Sequence, residues 1–131
     1  MNKAARTYTQ LSLEGSSPVG LVLALYDNAL KSLHRAKRAI ESNDIELRTR
    51  HLDHVLTIVA HLQGSLDLEN GGEVARTLLQ FYTYARARIL EISLTNSKEK
   101  LNDLVSHFSS LRGAWEVVDT KVSENLKSMA S

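Results

Sequence analysis

One proline stands in the 131 residues, at position 18, directly behind two serines. Ser17 is a good N-cap, because its hydroxyl can accept an orphan N–H of a first helical turn. Pro18 then takes the first helical position, where a missing N–H costs nothing and φ already suits a helix. Behind it Val22, Leu25, Ala29, Leu33, Ala36 and Ile40 recur at steps of three and four. That spacing predicts one apolar face of a long helix from Pro18 to Glu41. The sequence before it reads as a flexible N-terminal arm, residues 1–16, polar except for Tyr8, Leu11 and Leu13. Residues 17–131 are expected to form the helical domain.

Three quartets share the pattern Asn-x-x-Glu: Asn43 to Glu46, Asn70 to Glu73 and Asn96 to Glu99. An Asn cap with Glu three residues on can satisfy two orphan N–H groups reciprocally. Each quartet precedes an apolar-periodic run, so each is read as a helix start. The predicted helices are Asp44 to Leu66, Glu73 to Leu94 and Ser97 to Met129. Gly71 and Gly72 supply backbone freedom to the turn between Asp67 and Gly72. No strand precedes that glycine pair and no GKS or GKT follows it, so it is not a phosphate loop.

On the second helix Leu47, Val55, Ile58, Val59, Leu62 and Leu66 form one stripe, with Ile45, Leu52 and Leu56 on its flank. The third centres on Val74, Leu78, Phe81, Ala85, Ile89 and Ile92, with Leu79 and Leu90 well off that centre. The fourth keeps Leu101, Leu104, Phe108, Leu111, Trp115, Val118, Val122, Leu126 and Met129 in register. Long helices with short joints pack against their sequence neighbours, so the expected fold is an all-α, antiparallel four-helix bundle. The off-stripe residues widen the apolar arcs beyond the ~100° a surface helix needs. They are read as an exposed groove for a partner helix.

Composition narrows the function classes. The net charge is +1 and no cysteine is present, so no strong field points to nucleic acid and no thiol chemistry is available. Lys31, Arg35, Lys37 and Arg38 cluster in the second half of the first helix. Cations there favour the negative end of the dipole. No aromatic residues interleave with them, so the cluster is read as a solvated helix end, not a nucleic-acid contact. The N-terminus lacks the apolar core of a signal peptide, and no run approaches the ~18 apolar residues of a membrane span. A cytoplasmic protein is expected.

Catalytic patterns are missing. Di-iron bundles need paired Glu-x-x-His motifs, and no Gly-x-Ser-x-Gly is present. Asp27 is read as a structural hydrogen-bond acceptor. His51, His54 and His61 fall within eleven residues, which leaves a histidine-rich metal-binding bundle as one competing reading. A homodimerising bundle, its surplus apolar residues pairing with themselves, is another. No catalytic residue, cofactor or metal is expected, and the chain is not read as an enzyme.

Five motifs in order then carry a resemblance. Ser17-Pro18 with Leu21-Val22, Leu25-Tyr26-Asp27 and Ala29-Leu30 resembles the opening helix of the flagellar secretion chaperones of the FliS family. Tyr8 is placed like that family's N-terminal tyrosine. Leu66-Asp67 with Gly71-Gly72-Glu73 resembles its central turn, Phe81-Tyr82-x-Tyr84 the next segment, and Leu111-Arg112 with Trp115 the last helix. The resemblance implies a cytoplasmic chaperone that holds the disordered C-terminal segment of flagellin. It would thereby block premature polymerisation and deliver the subunit to the flagellar export apparatus. Candidate partner-binding residues are Tyr8 and Leu11 on the arm, and Ile45, Leu52, Leu56, Leu79 and Leu90 on the bundle. The arm is either a frayed end or a lid that covers the groove while no partner is bound.

Overall fold

A computed structural model of the protein describes residues 18–130. It contains four α-helices: α1 (Pro18–Glu41), α2 (Ile45–Gly64), α3 (Gly72–Thr95) and α4 (Lys98–Ala130). Each packs on the next, and α4 closes the ring against α1. The fold is the expected all-α four-helix bundle, with every helix boundary within a residue or two of the sequence reading. Ser17, Tyr8 and Leu11 lie outside the described residues.

The helices start and stop differently from the Asn-x-x-Glu reading. Asn43 and Asn96 adopt left-handed backbone, with φ of 57° and 54°. Asparagine tolerates that conformation better than most residues, so it ends helices as readily as it begins them. Asp44 N donates to Ala39 O at 2.8 Å and Asn43 N donates to Ile40 O at 3.1 Å. This paired closure satisfies the last carbonyls of α1. Capping falls to the residue after each left-handed Asn. Asp44 accepts from Leu47 N at 3.0 Å, and Ser97 Oγ accepts from Lys100 N at 3.2 Å. Asn70 caps nothing: its backbone and side-chain N–H groups both donate to the Asp67 carboxylate. Those bonds hold the Asp67 carboxyl below its ordinary range.

Gly71 and Gly72 are glycine for separate reasons. Gly72 has φ of +59°, whereas a Cβ on Gly71 would sit 2.5 Å from both Ala75 Cβ and Asp67 O. Gly72 needs conformational freedom and Gly71 needs space.

The core runs along the bundle axis. Leu25, Tyr26, Ala29, Leu33 and Ala36 of α1 meet Leu52, Val55, Ile58, Val59 and Leu62 of α2. Leu78, Tyr82, Ala85, Ile89 and Ile92 of α3, with Leu101, Leu104 and Phe108 of α4, complete it. Two expectations fail here. Leu52 is 1% exposed and belongs to this core, because its flank of α2 turns inward. On α4 the stripe is core only as far as Phe108; Leu111 and Trp115 are partly buried, and Val118, Val122, Leu126 and Met129 are exposed. From Val122 onward the reason is length. The 33 residues of α4 rise ~50 Å, while the 24 of α1 and of α3 rise ~36 Å, so the end of α4 outruns its neighbours.

Candidate partner-binding groove

The seam between α3 and α4 is closed at one end and open at the other. Near the α3–α4 joint, polar side chains bolt it shut. Asp103 accepts from Tyr84 Oη at 2.7 Å and from Arg88 at 3.0 Å. Glu91 accepts from Lys100 Nζ at 2.7 Å and from Arg88 at 3.2 Å. The Tyr84 and Arg88 bonds hold the Asp103 carboxyl below its ordinary range, and Lys100 does the same for Glu91. Phe81, edge-on to Phe108 with ring centroids 5.1 Å apart, begins the apolar part of the seam.

Toward the other end, the seam opens into an apolar groove of about 290 Å³. Val74, Thr77 and Leu78 of α3 form one wall, and Leu111, Ala114, Trp115 and Val118 of α4 form the other. A second cavity of about 260 Å³ adjoins it, reaching Val22, Leu62, Leu66 and Tyr82 and sharing Val74, Leu78 and Trp115 with the first. From there Val118, Val122, Leu126 and Met129 carry an exposed apolar row along α4, and Met129 is 82% exposed. Val74 is 67% exposed, although its helical register points at the core, because it sits in the first turn of α3 where no neighbour covers it.

The floor of the groove is aromatic. Tyr26 lies edge-on to both Phe108 and Trp115, with centroids 5.6 and 6.5 Å away. Its hydroxyl meets that of Tyr82 at 2.8 Å. Burial pushes both phenols above their ordinary values, so they stay protonated. Trp115 Nε1 is buried yet makes no hydrogen bond of good geometry. Beside it, Arg112 donates to Asp27 at 2.7 Å and to Glu116 at 2.6 Å, tying α4 to α1. Asp27 is thus the structural acceptor expected of it.

The residues chosen from sequence are not gathered into one site. Ile45 and Leu90 are each 61% exposed, on α2 and α3. Leu56 is partly buried against the core, and Leu79 is partly buried on α3. Leu79, Arg86 and Leu90 share one face by register, and Arg86 donates across the α2–α3 seam to Gln63 at 3.1 Å. A polar bridge therefore interrupts that surface. The groove residues Val74, Leu111, Trp115 and Val118 were assigned by periodicity to core stripes. No sequence signal separates them from the core stripes; the excess length of the fourth helix marks only Val122, Leu126 and Met129 beyond them. Among the described residues, no group of three or more His, Cys, Asp and Glu is placed to hold a metal ion. His51, His54 and His61 do not form a ligand set. Among the described residues, no helix is long and apolar enough to cross a membrane.

Comparison with known proteins bears on the family of the chain. Residues 1–122 match the family model described as flagellar protein FliS. The chain is 30% identical over 123 residues to the flagellar secretion chaperone FliS of Salmonella typhimurium, covering 90% of this chain and 91% of that protein. It is 33% identical over 117 residues to the chaperone of the same name from Campylobacter jejuni, covering 89% and 91%. Against the Bacillus subtilis chaperone it is 27% identical over 109 residues, covering 83% and 80%. These relatives are named as chaperones, which act by binding rather than by covalent chemistry. A proline-started helical bundle with an open apolar seam and this breadth of similarity belongs to the FliS family of flagellar secretion chaperones.

Proposed function

We propose that this chain is the cytoplasmic export chaperone of a flagellin, and that the α3–α4 groove with the exposed row on α4 receives flagellin's C-terminal segment. The observation that carries the reading is the open seam lined by Val74, Leu78, Leu111, Trp115 and Val118. An apolar concavity continuous with an exposed helical stripe suits an amphipathic helix that lays down residues at i, i+3, i+4 and i+7. A disordered segment folding onto such a surface buries about 1,000 Å² or more and spends ~2–5 kcal/mol on ordering. Binding the segment keeps it from pairing with other flagellin subunits, and the complex is what reaches the export apparatus. No nucleotide is required, because a ligand that binds one conformation selectively shifts its population. Ile45, Leu56 and Leu90 are proposed as peripheral contacts for a ligand that wraps beyond the groove.

The arm carrying Tyr8 and Leu11 is proposed as a lid on this groove. Pro18 starts α1 at the end of the bundle where Val22 lines the adjoining cavity. Seventeen preceding residues can span up to ~55 Å, enough to reach the groove.

Titration calorimetry with a flagellin C-terminal peptide tests the reading. Val74→Asp and Val118→Asp should weaken binding by about tenfold or more, with unchanged melting. Full affinity in both variants would place the flagellin site elsewhere. Sedimentation without peptide separates a self-pairing bundle from a chaperone.

A further inference from the structure

Two of the cations singled out in the first helix, Arg35 and Arg38, and one of the histidines singled out in the second, His51, stand on the two walls of one groove. Arg35, Arg38, Ala39 and Ser42 of α1, with Leu47 and His51 of α2, line a cavity of about 350 Å³. Lys31 precedes Arg35 by four residues and His54 follows His51 by three, so helical register carries both rows onward along the seam. Lys37 falls on another face of α1. Among the described residues, no hydrogen bond or ion pair joins Arg35, Arg38 or Lys31 to a carboxylate. The nearby acids are committed or turned away. Glu41 pairs with Lys98, Glu46 pairs with Arg50, and Asp44 caps α2. Asp53 lies on the far side of α2 by register.

We infer that the α1–α2 groove is a second docking site, and that its occupant is an acidic protein segment bearing apolar residues beside its carboxylates. Two guanidinium groups one turn apart offer planar forks that match carboxylates in paired fashion. Ala39 and Leu47 supply apolar wall between them, which a carboxylate-only ligand would leave unused. Three observations disfavour a polyanion. The net charge of +1 provides no long-range field. No aromatic side chain lines the cavity for base stacking. A concave seam suits a single chain better than a flat headgroup layer, which is held by clusters of about four to eight cations.

The ring order of the helices sets α1–α2 opposite α3–α4. The two grooves are therefore separate, and an acidic segment does not compete with a ligand confined to the apolar seam. The inference stands independently of what that seam binds.

The test is fluorescence anisotropy on the full chain. The probes are 12-residue labelled peptides mixing Glu and Leu in varied order, a Lys-for-Glu matched set, a single-stranded oligonucleotide, and vesicles containing phosphatidylglycerol. At least one Glu-Leu peptide should bind saturably, and its affinity should fall as salt rises. Arg35→Glu with Arg38→Glu should weaken it by about tenfold or more. Lys37→Glu, the same charge change on another face, should shift it by no more than about twofold. Circular dichroism melts keep loss of fold separate, since Arg35 and Arg38 are exposed. The proposal is overturned if no Glu-Leu peptide saturates, if the double variant binds like the parent, or if the oligonucleotide or vesicles bind more tightly than every peptide.

Discussion

The hydroxyls of Tyr26 and Tyr82 meet at 2.8 Å between α1 and α3, helices that are not neighbours in the ring. Both side chains are fully buried. The bond is a direct polar link across the bundle's diagonal, and it lies under Trp115, where the apolar groove begins. A pure hydrocarbon core can slide; two buried hydroxyls that pair with each other set the relative height of α1 and α3.

That pairing predicts an unequal set of variants. Tyr26→Phe or Tyr82→Phe alone leaves one buried hydroxyl without its partner and should cost about 1–3 kcal/mol. The double variant removes both hydroxyls and should cost less than the sum of the two. Urea melts on the four proteins give the coupling directly. Simple additivity would mean that water satisfies the orphaned hydroxyl.

Leu52 and Val74 exchange the roles their sequence positions suggested. Leu52→Ala should destabilise by about 2–5 kcal/mol, as expected for a fully packed leucine. Leu52→Asp should not fold at all, because it would bury an unpaired charge. Val74→Ala, in an exposed first turn, should stay within about 0.5 kcal/mol of the parent. Thermal melts of the three variants check the assignment.

Deleting residues 1–13 tests the lid. If the arm covers the groove, its removal should raise affinity for the flagellin segment by about tenfold, worth ~1–2 kcal/mol for one aromatic and one leucine incompletely buried. The truncated chain should also self-associate more on its own. Calorimetry on both lengths decides it: equal affinity makes the arm a bystander, and lost affinity makes Tyr8 a direct contact.

The ion cluster on the α3–α4 seam predicts an acid-limb signature. Asp103 and Glu91 titrate below their ordinary values of 3.8 and 4.5 in the folded chain. A depressed folded value means the carboxylates stabilise the fold above the unfolded values, and that this contribution is lost as pH falls through the folded ones. The parent should therefore lose melting temperature steadily below about pH 5, and Asp103→Asn should show a shallower fall over the same range. High salt should narrow the difference, since both carboxyls are solvent-facing. Parallel slopes for the two proteins would mean the cluster is energetically silent.

Periodicity in the sequence was enough for the helices. Pro18 and the three-four spacing from Val22 to Ile40 mark α1 to the residue, because local sterics and one apolar face are both short-range properties. Three short joints made antiparallel neighbours unavoidable. The joints themselves were less legible. Asn43 and Asn96 carry the same residue type that caps helices, and only the backbone path past each shows that it closes one helix before the next begins.

Which apolar residues are covered was decided by tertiary structure alone. Leu52 and Val74 are equally apolar and each sits in a helix, yet one is sealed and the other is bare. Periodicity gives the direction of a side chain from its own axis; burial depends on whether another helix extends far enough to meet it. Val118, Val122, Leu126 and Met129 keep perfect register with Leu101, Leu104 and Phe108. Val118 is exposed across the open seam from Val74, and Val122, Leu126 and Met129 are exposed because α4 is longer than the helices beside it.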